Sequence, residues 1–145
     1  MKRQLNTLIA ILILVGALTI SAQAQTAGAQ KMVAKIPFAF NVGNTNLPAG
    51  KYTITVLNPT SDRKILHIRN TKGSGATVLT TVETGNISDD AKLVFQRYGD
   101  RYFFAQAQMA GDSTTFAAVK SNAERAEKLA LARTRKQSVI VIVAE

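Results

Sequence analysis

Arg97-Tyr98-Gly99-Asp100-Arg101-Tyr102 is where groups able to grip a sugar or an anion are most concentrated in this chain. Two guanidinium groups and two phenols fall within six residues. If Gly99-Asp100 is a two-residue hairpin loop, Phe95 faces Phe104, Arg97 opposes Tyr102, and Tyr98 opposes Arg101 on the other face. Each Arg–Tyr pair then allows stacking and a cation–π contact worth about 0.5–1 kcal/mol when exposed. Two readings follow from the same residues. One is a glycan- or anion-contacting tip made by Arg97, Tyr98, Arg101 and Tyr102. The other is a stabilised turn, the plainer of the two.

Other chemistry is sparse. His67 is the single histidine and there is no cysteine, so a zinc site lacks its usual ligands. Asp89-Asp90 is the only adjacent acidic pair, and its Ser/Asp loop supplies too few oxygens for calcium. No phosphate-binding glycine loop and no nucleophile elbow occurs. Glycoside hydrolysis needs two placed carboxylates, and nothing singles out two of the nine acidic residues. With no tryptophan and three tyrosines, an aromatic carbohydrate platform is poorly supplied. The sequence therefore predicts no enzyme, no cofactor and no metal.

The elements that must hold the tip read as strands. Ile36, Phe38, Phe40 and Val42 alternate with Pro37, Ala39 and Asn41, a period of two that places the large residues on one strand face. Pro37 marks a strand start or edge. Gly43 to Asn46 reads as a loop and Leu47-Pro48-Ala49-Gly50 as a turn. A strand follows with Tyr52, Ile54 and Val56 inward. Further strands are predicted at 64–69, 76–83, 93–98, 101–106 and 114–119, separated by turn signals. Ser121-Asn-Ala-Glu124 is a capping box opening a helix over 122–135. Ser138 to Ala144 is a final strand that is apolar on both faces and needs cover or an edge partner. Pairing beside the first strand is one expectation, and strand exchange that makes a homo-oligomer through this last strand is the other. The fold class is mainly β: an antiparallel sandwich or barrel of about 7–8 strands, with one C-terminal helix before the last strand.

Leu47-Pro-Ala-Gly-Lys-Tyr-Thr-Ile54 resembles a turn-plus-strand of secreted immunoglobulin-like and transthyretin-like modules. Together with Ile36-Pro-Phe-x-Phe, Arg97-Tyr-Gly-Asp-Arg-Tyr-Phe and Ser121-x-x-Glu-Arg, it resembles a family of small secreted bacterial β-proteins associated with acidobacteria-like genomes. The resemblance covers roughly residues 32–133. It implies a secreted β-domain and brings no activity with it.

Residues 1–24 read as a signal peptide: Lys2 and Arg3, an apolar run from Leu8 to Ile20, and the small-x-small triplet Ala22-Gln23-Ala24, with cleavage between Ala24 and Gln25. The apolar run is short for a membrane span of about 20 residues. Residues 25–31 read as a disordered linker, and 32–145 as a single β-rich domain. Cleavage leaves sixteen basic and nine acidic residues, a net +7. That charge suits an anionic envelope polysaccharide or lipid surface. Export argues against nucleic acid. The basic residues read as spread over the strands, with Arg133-Thr-Arg-Lys136 as their only cluster. The expected function is an exported, periplasmic or secreted, non-enzymatic β-domain that binds or builds the envelope. The alternative is a carrier of a small apolar ligand inside a β-barrel.

Overall fold

The structure, a computed structural model, describes residues 30–61, 63–132 and 137–144. The proposed signal peptide, its cleavage site and the Arg133–Lys136 cluster lie outside these residues. Ten strands occur among them: β1 Lys31–Ile36, β2 Phe40–Val42, β3 Thr45–Leu47, β4 Gly50–Val56, β5 Lys64–Asn70, β6 Gly75–Thr84, β7 Ala91–Tyr98, β8 Arg101–Gln108, β9 Thr114–Ala118 and β10 Gln137–Ala144. One helix, α1, spans Asn122–Leu131 among the described residues. The mainly β class with a helix before the last strand is as the sequence indicates.

The long strands form one sheet in the order β10-β7-β8-β9-β6-β5-β4-β1, each antiparallel to its neighbour. The β2–β3 hairpin joins it through one parallel bridge, Asn41 to Phe103. The end strands β1 and β10 lie beside one another, with Cα atoms within 8 Å. No ladder joins them among the described residues, so the sheet is folded over but not closed.

The strand count exceeds the expected 7–8 because residues 36–47 are divided differently. Pro37, which has no N–H for a ladder, ends β1 instead of opening a strand. The chain resumes at Phe40, and Asn46 and Leu47 belong to β3 rather than to a loop. Gly43 permits this tight hairpin with φ +60°. The predicted linker also ends too late, since Lys31 already pairs with Thr55. The Gln30 carbonyl accepts from the Val56 N–H at 3.1 Å. Met32, Ala34 and Ile36 alternate inward from β1 and are buried, which gives this segment its reason to be ordered.

The inward face is a continuous apolar core. Tyr52, Ile54, Leu66, Ile68, Leu93, Phe95 and Phe116 are at most 1 % exposed. The Tyr52 hydroxyl donates to the Pro48 carbonyl at 2.6 Å, so the one polar atom of this buried ring is satisfied by the turn before its own strand. Between β5 and β6 the backbones come close at Gly75. A Cβ there would sit 2.8 Å from the Ile68 carbonyl oxygen and 3.3 Å from the Arg69 Cα. Gly75→Ala must displace backbone, and its expected effect is a loss of about 1–3 kcal/mol, read from the chemical-denaturation midpoint. An unchanged midpoint would mean that the two strands can separate freely at this point.

β10 pairs with β7 along its whole length, Gln137 with Tyr98 through to Ala144 with Ala91. It thus lies in its own chain's sheet, hydrogen-bonded to β7 rather than to β1. Ile140, Ile142 and Ala144 pack on the core, whereas Val139, Val141 and Val143 are exposed.

Candidate functional site

The β7–β8 hairpin brings all four predicted tip residues together in the expected register. Arg97 opposes Tyr102, Tyr98 opposes Arg101, and Phe95 opposes Phe104. Gly99 has φ +60°, the left-handed geometry that a primed two-residue turn needs at its first loop position. A bulge between Val94 and Phe95 shifts the register further along the hairpin.

Their side chains are largely committed to the fold. On the inner side Tyr102 stacks on Phe38 at 4.0 Å between centroids with a 16° interplanar angle, and Arg97 covers it at 5.5 Å. The Arg97 Nε–H donates to the Gly99 carbonyl at 2.7 Å, and its Nη2 lies 3.7 Å from an Asp100 carboxylate oxygen. On the outer side α1 lies over the hairpin. Arg101 pairs with Glu127 at 2.9 Å and sits 5.3 Å from the Phe103 ring. That stack replaces the expected Arg101–Tyr98 contact, because Tyr98 turns under the helix and is 1 % exposed. Its hydroxyl donates to Glu124 Oε1 at 3.2 Å.

Glu124 explains this arrangement. Ser121 caps α1 by accepting from the Glu124 N–H at 3.1 Å, one arm of the expected capping box. Glu124 is itself buried and gives its carboxylate to Tyr98, so its side chain anchors the helix to the sheet. Burial, the facing carboxylate and the hydrogen bond to it push the Tyr98 phenol up to about 12 from its ordinary 10.0. Below pH 10 the phenol is neutral in both folded and unfolded chains. Between pH 10 and 12 only the unfolded chain ionises, so this contribution is complete below pH 10 and is lost as pH rises through 12. Burial raises Tyr52 as well, acting in the same direction. Stability is expected to fall steadily above pH 10, and Tyr98→Phe to show a shallower alkaline fall. An identical pH slope in the two proteins would break the assignment.

The remaining candidates separate. His67 is half-buried on the outer side of β5, between Thr55 and Thr77. Asp89 and Asp90 border an open groove of about 390 Å³ that also contains Lys92 and Gln108. Among the described residues no three His, Asp or Glu side chains cluster as a metal site would require. A groove of about 470 Å³ along the hairpin and α1 is an open surface feature between Tyr98, Lys128, Leu131 and Val139.

Strand order reveals a second surface that the linear sequence hides. The outward residues of β1 are Lys31, Val33 and Lys35; those of β4 include Lys51, Thr53 and Thr55; those of β5 include His67 and Arg69. None of these strands contains Asp or Glu. The basic charge is not spread evenly over the sheet. The detectable signal was compositional: β1, β4 and β5, which prove to be adjacent, hold five of the eight Lys and Arg residues of the ten described strands, whereas freedom from acid is shared by every one of these strands except β6, which holds Glu83. No family model, curated protein or solved structure matches the chain.

Proposed function

We propose that the chain is an exported, non-enzymatic β-domain that works as a binding or structural module of the cell envelope. Export rests on residues 1–24, with their basic start, apolar run and Ala22-Gln23-Ala24. Among the described residues no helix is long and apolar enough to cross a membrane.

One observation carries the choice of a surface-acting module: the space between the sheet's inner faces is occupied by side chains. Phe40 packs against Tyr52 at 5.1 Å and against Phe95 at 5.3 Å between ring centroids, and Phe95 packs against Phe104 at 5.9 Å, all near edge-to-face. An apolar-ligand carrier needs an enclosed pocket of about 300–1,000 Å³, and these rings stand where it would lie. The tip residues, which an enzyme would have to free for chemistry, are held by Phe38, Phe103, Glu124 and Glu127. What remains for contact is the outer surface.

The test is sedimentation of the mature chain, residues 25–145, with isolated bacterial envelope. The expected result is co-sedimentation that is lost in high salt, because exposed charges are screened within about 3 Å at 1 M. A chain that stays in the supernatant at low salt would refute the proposal.

A further inference from the structure

We infer that the outer face of β1, β4 and β5 is a docking surface for a linear acidic polysaccharide. The inference rests on the envelope-module reading and names the face and the partner's chemistry.

The face is asymmetric in charge. Lys31 and Lys35 project from β1, Lys51 from β4 and Arg69 from β5, and all four are exposed. Lys35 stands directly opposite Lys51. Like charges facing each other across two strands are destabilising, and no carboxylate on these strands relieves them. The ion pairs found among the described residues lie elsewhere, Arg97 with Asp100 and Arg101 with Glu127. An anion laid between Lys35 and Lys51 would remove the repulsion that the fold leaves in place.

The layout favours a polymer over a single small anion. Lys31 and Lys35 are four residues apart, about 13 Å along the strand, while neighbouring strands are about 4.8 Å apart. The cations are thus distributed over a plane three strands wide, and the groove of about 330 Å³ that Lys31 borders with Gln30 and Asp112 is open and takes in none of the other three. The groups between them favour a sugar chain over a bilayer. Thr53 and Thr55 offer hydroxyl donors and acceptors, and they pair with Arg69 and His67 on β5. No large hydrophobic side chain is exposed on β1, β4 or β5; the exposed Leu57 and Leu79 stand at one margin of the face, beside Ile65, while Lys35, Lys51 and Arg69 lie towards its other end, so these cations have no apolar anchor among them of the kind a membrane-seated surface inserts.

The experiment compares the mature chain with Lys31→Gln/Lys35→Gln/Lys51→Gln and with Lys120→Gln/Arg125→Gln/Lys128→Gln, an equal charge loss at exposed positions beyond the face. The probes are polygalacturonate, neutral dextran, and vesicles of phosphatidylcholine with one third phosphatidylglycerol. The expected result is binding to polygalacturonate at low salt, none to dextran, and a fall of about tenfold or more for the face variant against about twofold or less for the control variant. Circular dichroism establishes that each variant is folded. Neutralising the facing lysines is also expected to raise the denaturation midpoint, which a general loss of structure cannot do. Equal losses in the two variants, or binding to vesicles with none to polygalacturonate, would overturn the inference. If the wild-type chain sediments with envelope material and the face variant does so equally, the face is wrong and the envelope reading stands. If the wild-type chain sediments with none, the reading itself fails.

Discussion

Phe95→Ala should lower the stability of the folded chain by about 3–5 kcal/mol. Phe95 is fully buried. Its ring meets Phe38 and Phe40 at 5.3 Å and Phe104 at 5.9 Å, each at 75° or more between planes. Truncation removes the transfer energy of one of the largest core side chains and the edge-to-face contacts with three others. It also opens a void between inner faces whose strands are fixed by ladders on both sides, so the walls can close only partly. Phe38→Ala removes a half-buried ring from the end of the same cluster and should lose clearly less. Urea denaturation of both variants checks this. A loss below about 1 kcal/mol for Phe95→Ala would mean that the interior is loosely filled, and would restore the carrier alternative.

Ile142→Asp should be nearly as damaging, at about 2–4 kcal/mol, while Val141→Asp, one residue away, should stay within about 1 kcal/mol of wild type. The contrast follows from strand alternation. Ile142 pairs with fully buried Leu93 and packs on the core, whereas Val141 is exposed opposite half-buried Val94. A carboxylate at 142 loses water without gaining a partner. At 141 it remains hydrated, and it breaks the exposed run of Val139, Val141 and Val143, so aggregation should also decrease. Equal losses at the two positions would show that β10 is covered on both faces or is not seated in the sheet. Thermal denaturation with light scattering measures both effects together.

Much of this fold is legible in the sequence because short-range geometry fixes it. The Gly99-Asp100 loop determines the register of β7 against β8, so the Arg97–Tyr102 and Tyr98–Arg101 oppositions follow from counting. Ser121 announces the start of α1 through the same local logic. What is not legible depends on contacts remote in sequence. Nothing near Ser138–Ala144 specifies β7 as its partner, since a strand apolar on both faces suits any edge. Glu124 reads as half of a capping box until the helix is seen lying on Tyr98. The Tyr98 phenol accordingly looks available in the sequence and is buried in the structure. The break at Pro37 was signalled by the residue itself, but the period-two pattern running through it argued for continuity. Evenly spread charge becomes a one-sided face only when β1, β4 and β5 are known to be neighbours.

These contrasts shift attention from the Arg97–Tyr102 tip to the other side of the sheet. The tip residues are better accounted for by what they hold together, Phe38 on the inner side and α1 on the outer. The claim that the protein works through the basic outer face of β1, β4 and β5 can be read residue by residue. A titration of the ¹⁵N-labelled chain spanning residues 25–145 with short oligogalacturonates, followed by amide chemical shifts, locates the contact directly. The account predicts shifts confined to Lys31–Ile36, Gly50–Val56 and Lys64–Asn70. Shifts centred on Arg97–Tyr102, or on buried amides around Phe95, would contradict it.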